Sequence, residues 1–183
     1  MTDQKTNLKE YLYETSKNTN KILLIPLSFK LDQLEPVISK QNVDLHYNVH
    51  SKKYVQNANS QHDAFNIAGA VLHNLWWEQL QPPSDDNKPD GKIAEVITKK
   101  YKTFSEFKKQ VSDHFMAIQG SGWVAVLKSG SIITISNHQV VDNVIFVIDG
   151  WEHAWYPTYQ ADKKKYIENI WKCINWQVVN SRL

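Results

Sequence analysis

Three histidines and an aspartate fall where ionisable groups are costly. His46 lies on an apolar helical face that also carries His50 and Tyr54, and His73 sits inside "VLHNLWW". Asp149 ends the apolar run "VIFVI", and His153 follows it at a spacing of four. An uncompensated charge or imidazole on an apolar face is expensive, so each of these groups needs a partner or a task. Together they form a borderline-hard N3O donor set, suited to Fe, Mn or Zn and poorly matched to Cu(I), which prefers sulfur. Singly, each has a plainer reading: His46 and His73 as hydrogen-bonded core residues, Asp149 as a turn cap, and Asp149 with His153 as an ion pair. His62, in a polar loop, and His114, beside Asp113, read as surface residues.

The elements that must position these groups can be read from periodicity. Leu31, Leu34, Val37 and Ile38 lead into a helix on which Val43, His46, Tyr47, His50 and Tyr54 recur at three- and four-residue spacing. A second helix is expected over "DAFNIAGAVLHNLWWEQL", with Asp63 as N-cap. The cluster of Pro, Asp and Gly in "QPPSDDNKPDG" marks a boundary. Beyond it, "KIAEVITKKY" and "TFSEFKKQVSDHFMAI" read as helices, the latter opened by a capping box from Thr103 to Glu106. "GSGWVAVLKSGSIITISN" is a hairpin signal and "NVIFVID" supplies a third strand, giving a three-stranded antiparallel sheet. A final long helix is expected over "DKKKYIENIWKCINWQVV", with Tyr166, Ile170, Trp171, Ile174 and Val178 as its apolar stripe. The expected fold class is α+β: an extension over 1–20, partly helical around "LKEYLYE", a helical hairpin domain over 21–82 and an α+β domain over 90–183.

Composition narrows the function. At 183 residues and 42% hydrophobic content the chain can bury a real core without disulfides. Its 21 basic and 19 acidic residues are too balanced for a general nucleic-acid binder. No apolar run approaches the roughly 20 residues of a membrane span. The single Cys173 fits a reducing compartment, and residues 1–20, with Asp3, Glu10 and Glu14 and no Arg, resemble neither a secretory nor a transit signal. A cytoplasmic setting without membrane or nucleic-acid partners is expected.

"DGWEHAWY" resembles the D-x-W-E-H-A-x-Y signature of the iron/manganese superoxide dismutases, and further motifs follow that family's order over residues 22–178. "LEPVIS" leads to the first histidine; "HYNVHSKKYV", "VLHNLWWEQLQP", "GSGWVAVL" and "YIENIWKCINW" resemble its ligand helices, its G-S-G-W strand and its terminal helix. The resemblance implies one Fe or Mn ion per chain, with a slight lean to Fe or dual use, held by His46, His73, Asp149 and His153. It implies redox disproportionation of two superoxide radicals to O2 and H2O2. Tyr54 matches a tyrosine beside the substrate funnel, and Trp77, Trp123 and Trp151 match aromatics around the metal. In a homodimer, His50 would pair with a partner's Tyr156, and Glu152 would reach a partner's His153.

The chain departs from the family pattern in several places. The donor that tunes metal-bound solvent is commonly a Gln; here the helix position is Gly69 and the loop position His138, the alternative being that Gln139 reaches in while His138 turns out. Only eighteen residues separate Tyr54 from His73, so the hairpin is short. Ser51 replaces a common histidine, Ala125 a tryptophan, and Lys163 an arginine at the funnel; Lys163 keeps the charge but lacks the planar fork. Lys52 and Lys53 either help to steer the anion or are simply solvated. Two other readings stand beside an active enzyme: a metal-binding or interaction protein on the same scaffold without turnover, and zinc-dependent hydrolysis. Against the latter, the chain contains no H-E-x-x-H and no evident general base.

Overall fold

A computed structural model describes residues 21–183; the helix expected around "LKEYLYE" lies outside them. Residues 31–37 form turns rather than a helix. Pro36 lacks an N–H and disfavours helical geometry at the residue before it, so the first helix waits for the Ser39 cap, whose Oγ accepts from Asn42 N–H at 3.2 Å. Helix α1 (Lys40–Asp44) runs through a π-helical stretch (Leu45–Ser51) into α2 (Lys52–Gln61). His62, at φ 53°, ends α2 in the left-handed region, and Asp63 caps α3 (Ala64–Glu78) by accepting from Asn66 N–H. The two long helices of the hairpin are therefore joined by two residues. The segment before α1 is tied to both by side-chain amides: Asn59 exchanges two hydrogen bonds with Ile22, and Asn74 bonds Leu23 and Ile25.

Helix α4 spans Gly91–Tyr101 and α5 spans Phe104–Met116. The expected capping box is half formed. Thr103 Oγ1 accepts from Glu106 N–H, but Thr103 N–H donates to the Tyr101 carbonyl, while Glu106 takes a bond from Gln110. The hairpin and third strand appear as β1 (Gly122–Leu127), β2 (Ile132–Ser136) and β3 (Val144–Asp149), antiparallel in the order β2-β1-β3. Trp123 pairs with Asp149 across β1 and β3. The outer edge of β3 is closed by side chains: the Gln79 amide bonds both Val147 N–H and its carbonyl, and Arg182 bonds the Ile145 carbonyl. An edge strand buried on both faces needs such partners for its backbone groups.

After β3 come α6 (Glu152–Tyr159) and α7 (Lys163–Asn169). The expected final long helix breaks here. A 3-10 turn (Ile170–Cys173) leads to an extended Ile174 and then α8 (Trp176–Ser181). Asn175 caps α8 through its side chain, and Asn87 bonds the Trp171 and Ile174 carbonyls released by the break. The interruption turns Val179 rather than Val178 into the core. One continuous apolar core runs from Leu34 and Val43 through Leu72 and Trp76 to Phe146 and Trp171, so α3 and β3, which carry His73 and Asp149, are held in the same packed interior.

Candidate metal centre

His46 comes from the π-helical stretch, His73 from the middle of α3, Asp149 from the end of β3 and His153 from the first turn of α6. Their ligand atoms all lie within 4.8 Å of one another. Asp149 Oδ2 is 3.2 Å from His46 Nε2, 3.2 Å from His153 Nε2 and 3.7 Å from His73 Nε2. Donors bound about 2.0–2.2 Å from one ion sit roughly 3–4 Å apart, which is this spacing. The remaining edges are held in place. His73 Nδ1–H donates to the Gly69 carbonyl at 2.6 Å, leaving Nε2 with its lone pair free. Asp149 Oδ1 accepts from Trp151 N–H at 2.8 Å, leaving Oδ2 to the histidines. His46 Nε2 is buried without an aligned hydrogen-bond partner.

The electrostatics favour the same set. Burial lowers the His46 imidazole to about 4 and holds His73 well below the usual histidine range, so both are neutral ligands at pH 7. Burial works against ionisation of Asp149, yet His153 and His46 beside it outweigh that effect and hold the carboxyl below its usual range. Neutral imidazoles at His46 and His73 and a carboxylate at Asp149 are the protonation states a metal needs.

Aromatic rings surround the cluster. Trp77 meets His46 at 4.7 Å, Trp123 meets His73 at 5.1 Å, and Trp151 stacks on His138 at 4.4 Å. His138 is turned inward and buried, while Gln139 is exposed, so the alternative with Gln139 in the site is not what the chain adopts. Trp123 Nε1–H donates to His138 Nδ1 at 3.1 Å, which places the His138 proton on Nε2, a buried donor with no protein partner. Gly69 makes this possible: a Cβ there would lie 2.7 Å from Tyr54 Cδ1 and 3.1 Å from His138 Cδ2. A side chain at 69 would clash with the Tyr54 ring and crowd the inward His138. Tyr54 stacks on His73 at 5.0 Å, and burial raises its hydroxyl to about 12, with the Asp149 charge adding to the effect.

His50 stacks on His153 at 4.4 Å, while Glu152 and Tyr156 face solvent. Lys163 does not reach the four ligands as a contact; its ammonium lies 4.7 Å over the Phe115 ring. Lys52, Lys53 and His62 are exposed, and His114 lies beside Thr134 at 3.4 Å. Two residues at the site carried no signal in the sequence. Phe65 places its half-exposed ring 4.8 Å from His138, and Tyr166, expected only as core stripe, donates its hydroxyl to the Asp149 carbonyl at 3.2 Å. Both contacts join elements far apart in the chain.

With this geometry, the matches to known families become specific. The alpha-hairpin domain of the iron/manganese superoxide dismutases matches residues 21–64 and their C-terminal domain matches residues 89–182. The chain belongs to the iron/manganese superoxide dismutase family. It is 34% identical to the superoxide dismutase [Fe] of Saccharolobus solfataricus, over 87% of this chain and 92% of that protein. It is 33% identical to the mitochondrial superoxide dismutase [Mn] of Schizosaccharomyces pombe, over 88% and 87%. With the superoxide dismutase [Mn/Fe] of Aeropyrum pernix the identity is 30%, over 87% and 89%. These relatives span iron, manganese and mixed-metal names, and the four clustered donors provide a place for one such ion.

Proposed function

We propose that the chain converts two superoxide radicals to O2 and H2O2 at one Fe or Mn ion held by His46, His73, Asp149 and His153. The observation that carries this reading is the convergence of three histidine nitrogens and one carboxylate oxygen inside an aromatic cage, in a member of this family. Iron or manganese bound there supplies the alternation between the 3+ and 2+ states that lets one superoxide be oxidised and a second be reduced. The protein provides the rest. Asp149 contributes the negative charge that balances the ion, and the neutral imidazoles add none. His138 holds its Nε2–H toward the interior, where the protons of the reaction have to be managed. Tyr54, kept protonated by burial, is a second proton-bearing group beside His73. Trp77, Trp123 and Trp151 exclude bulk water, which strengthens every polar interaction inside.

The same reading takes the chain as a homodimer in which Glu152, Tyr156 and His50 meet the partner; the support is that Tyr156 is 47% exposed on the same short helix as the ligand His153. It divides the chain at the loop after Pro82 into a hairpin domain over 21–82 and an α+β domain over 90–183. A cytoplasmic setting is supported by the single, buried Cys173. Among the described residues no helix is long and apolar enough to cross a membrane. The test is elemental analysis of protein from cells supplied with both metals, with superoxide consumption measured on the same sample. Near-stoichiometric Fe or Mn with turnover that vanishes in His73→Ala is expected. A zinc-filled or empty site, inactive after reconstitution, would overturn the reading.

A further inference from the structure

The turn that carries His46 is built unlike the rest of the hairpin. Between the regular helices α1 and α2, residues Leu45–Ser51 widen into a π-helical stretch, a rare form that depends on local support. Ser51 closes that stretch and is completely buried. Its Oγ–H donates to the His46 carbonyl at 2.9 Å, and the same oxygen accepts from Trp77 Nε1–H at 2.8 Å. Trp77 stands four residues after His73, on the same face of α3, and its ring meets the edge of His46 at 4.7 Å and of Tyr47 at 5.7 Å. One hydroxyl thus joins the backbone of the first ligand to the helix of the second.

We propose that Ser51 is a positioning residue that fixes His46 relative to His73 through this shared hydroxyl. A hydroxyl is suited to the place because it donates and accepts at one atom. Alanine could do neither, and would leave Trp77 Nε1–H buried without a partner, a costly state. Groups behind metal ligands set ligand orientation, and their loss typically lowers metal affinity by roughly 10- to 100-fold. The inference rests on the reading of His46 and His73 as metal ligands. It adds a residue that the family pattern commonly fills with histidine.

The test compares wild type with Ser51→Ala, Ser51→Thr, Trp77→Phe and the double variant Ser51→Ala/Trp77→Phe. Three readouts apply: the rate of metal release to a chelator, the electron paramagnetic resonance line shape of the ferric protein, and amide exchange of residues 45–51 in the metal-free protein. Expected are release faster by roughly 10- to 100-fold in Ser51→Ala, an altered ferric line shape, and faster exchange in the π-helical stretch. Ser51→Thr, which keeps the hydroxyl, should retain the wild-type line shape. The double variant should recover stability, because the orphaned N–H is gone, but not the line shape. If Ser51→Ala keeps the wild-type line shape and exchange, or if the double variant restores both, Ser51 merely fills space and this inference falls while the metal reading stands. A wild-type protein that takes up neither metal overturns the metal reading, and the exchange experiment then judges the Ser51 lock alone.

Discussion

Around the four candidate ligands the rings meet at mixed angles: His46 against His73 at 86°, His73 against Trp123 at 84°, and His50 stacked on His153 at 19°. At the C-terminal end, Phe146, Trp171 and Trp176 lie nearly parallel, with interplanar angles of 13°, 15° and 9°. Both clusters are buried and both are rich in large rings. In the first, three imidazole nitrogens and a carboxylate oxygen converge within 4.8 Å of one another; in the second, stacked faces and the edges of Phe104 and Phe107 fill volume. The difference shows that aromatic content does not distinguish a site from a core. The convergence of polar edges on one centre does.

The contrast can be broken from either side. Trp171→Ala opens a cavity in the stacked cluster and should cost about 3–5 kcal/mol by chemical denaturation, while metal content per folded molecule stays at the wild-type value. A loss of metal in the folded fraction would show that the two clusters are not separable. Acid acts on the other side. The unfolded His46 takes its proton near 6.5, the folded one only near about 4. The unfolded state therefore binds more protons in that window, and the metal-free protein should lose stability as pH falls through it, by ~3 kcal/mol from this group. His73 is shifted in the same direction. The Trp171→Ala defect should be independent of pH, because no ionisable group belongs to the stack.

His138→Ala removes the inward Nε2–H and leaves Trp123 Nε1–H without its acceptor. Turnover should fall by roughly 10- to 100-fold, with metal still bound, whereas Gln139→Ala at the exposed neighbour should leave both within error. Equal effects of the two would refute the inward assignment. Gly69→Ala places a methyl 2.7 Å from the Tyr54 ring. It should cost about 1–3 kcal/mol by overpacking and slow turnover by displacing Tyr54 or His138; an unchanged enzyme would mean that the rings yield without consequence.

Legibility in the sequence followed the range of the interaction. The two hairpin helices, the Asp63 and Thr103 caps and the three strands depend on periodicity and on groups a few residues apart, and all could be read from the chain. The break after Asn169 could not, since the partners that stabilise it, Asn87 and Gln79, come from distant segments. Nor could the turns at 31–37 be separated from helix by spacing alone. The four ligands were legible as costly groups on apolar faces, and their combination gained meaning from the ordered motifs.

The sequence by itself determined the donor types, the faces that carry them and the family to which the chain belongs. Only the tertiary structure decided which way those donors point. It set the tautomer of His73 through the Gly69 carbonyl, the proton position of His138 through Trp123, and the free oxygen of Asp149 through Trp151 N–H. It also turned His138 rather than Gln139 inward, where Gly69, lacking a Cβ, leaves the ring room. The physical reason is that hydrogen bonds and steric exclusion act over a few ångströms in space, and the groups that exert them here are brought together by packing.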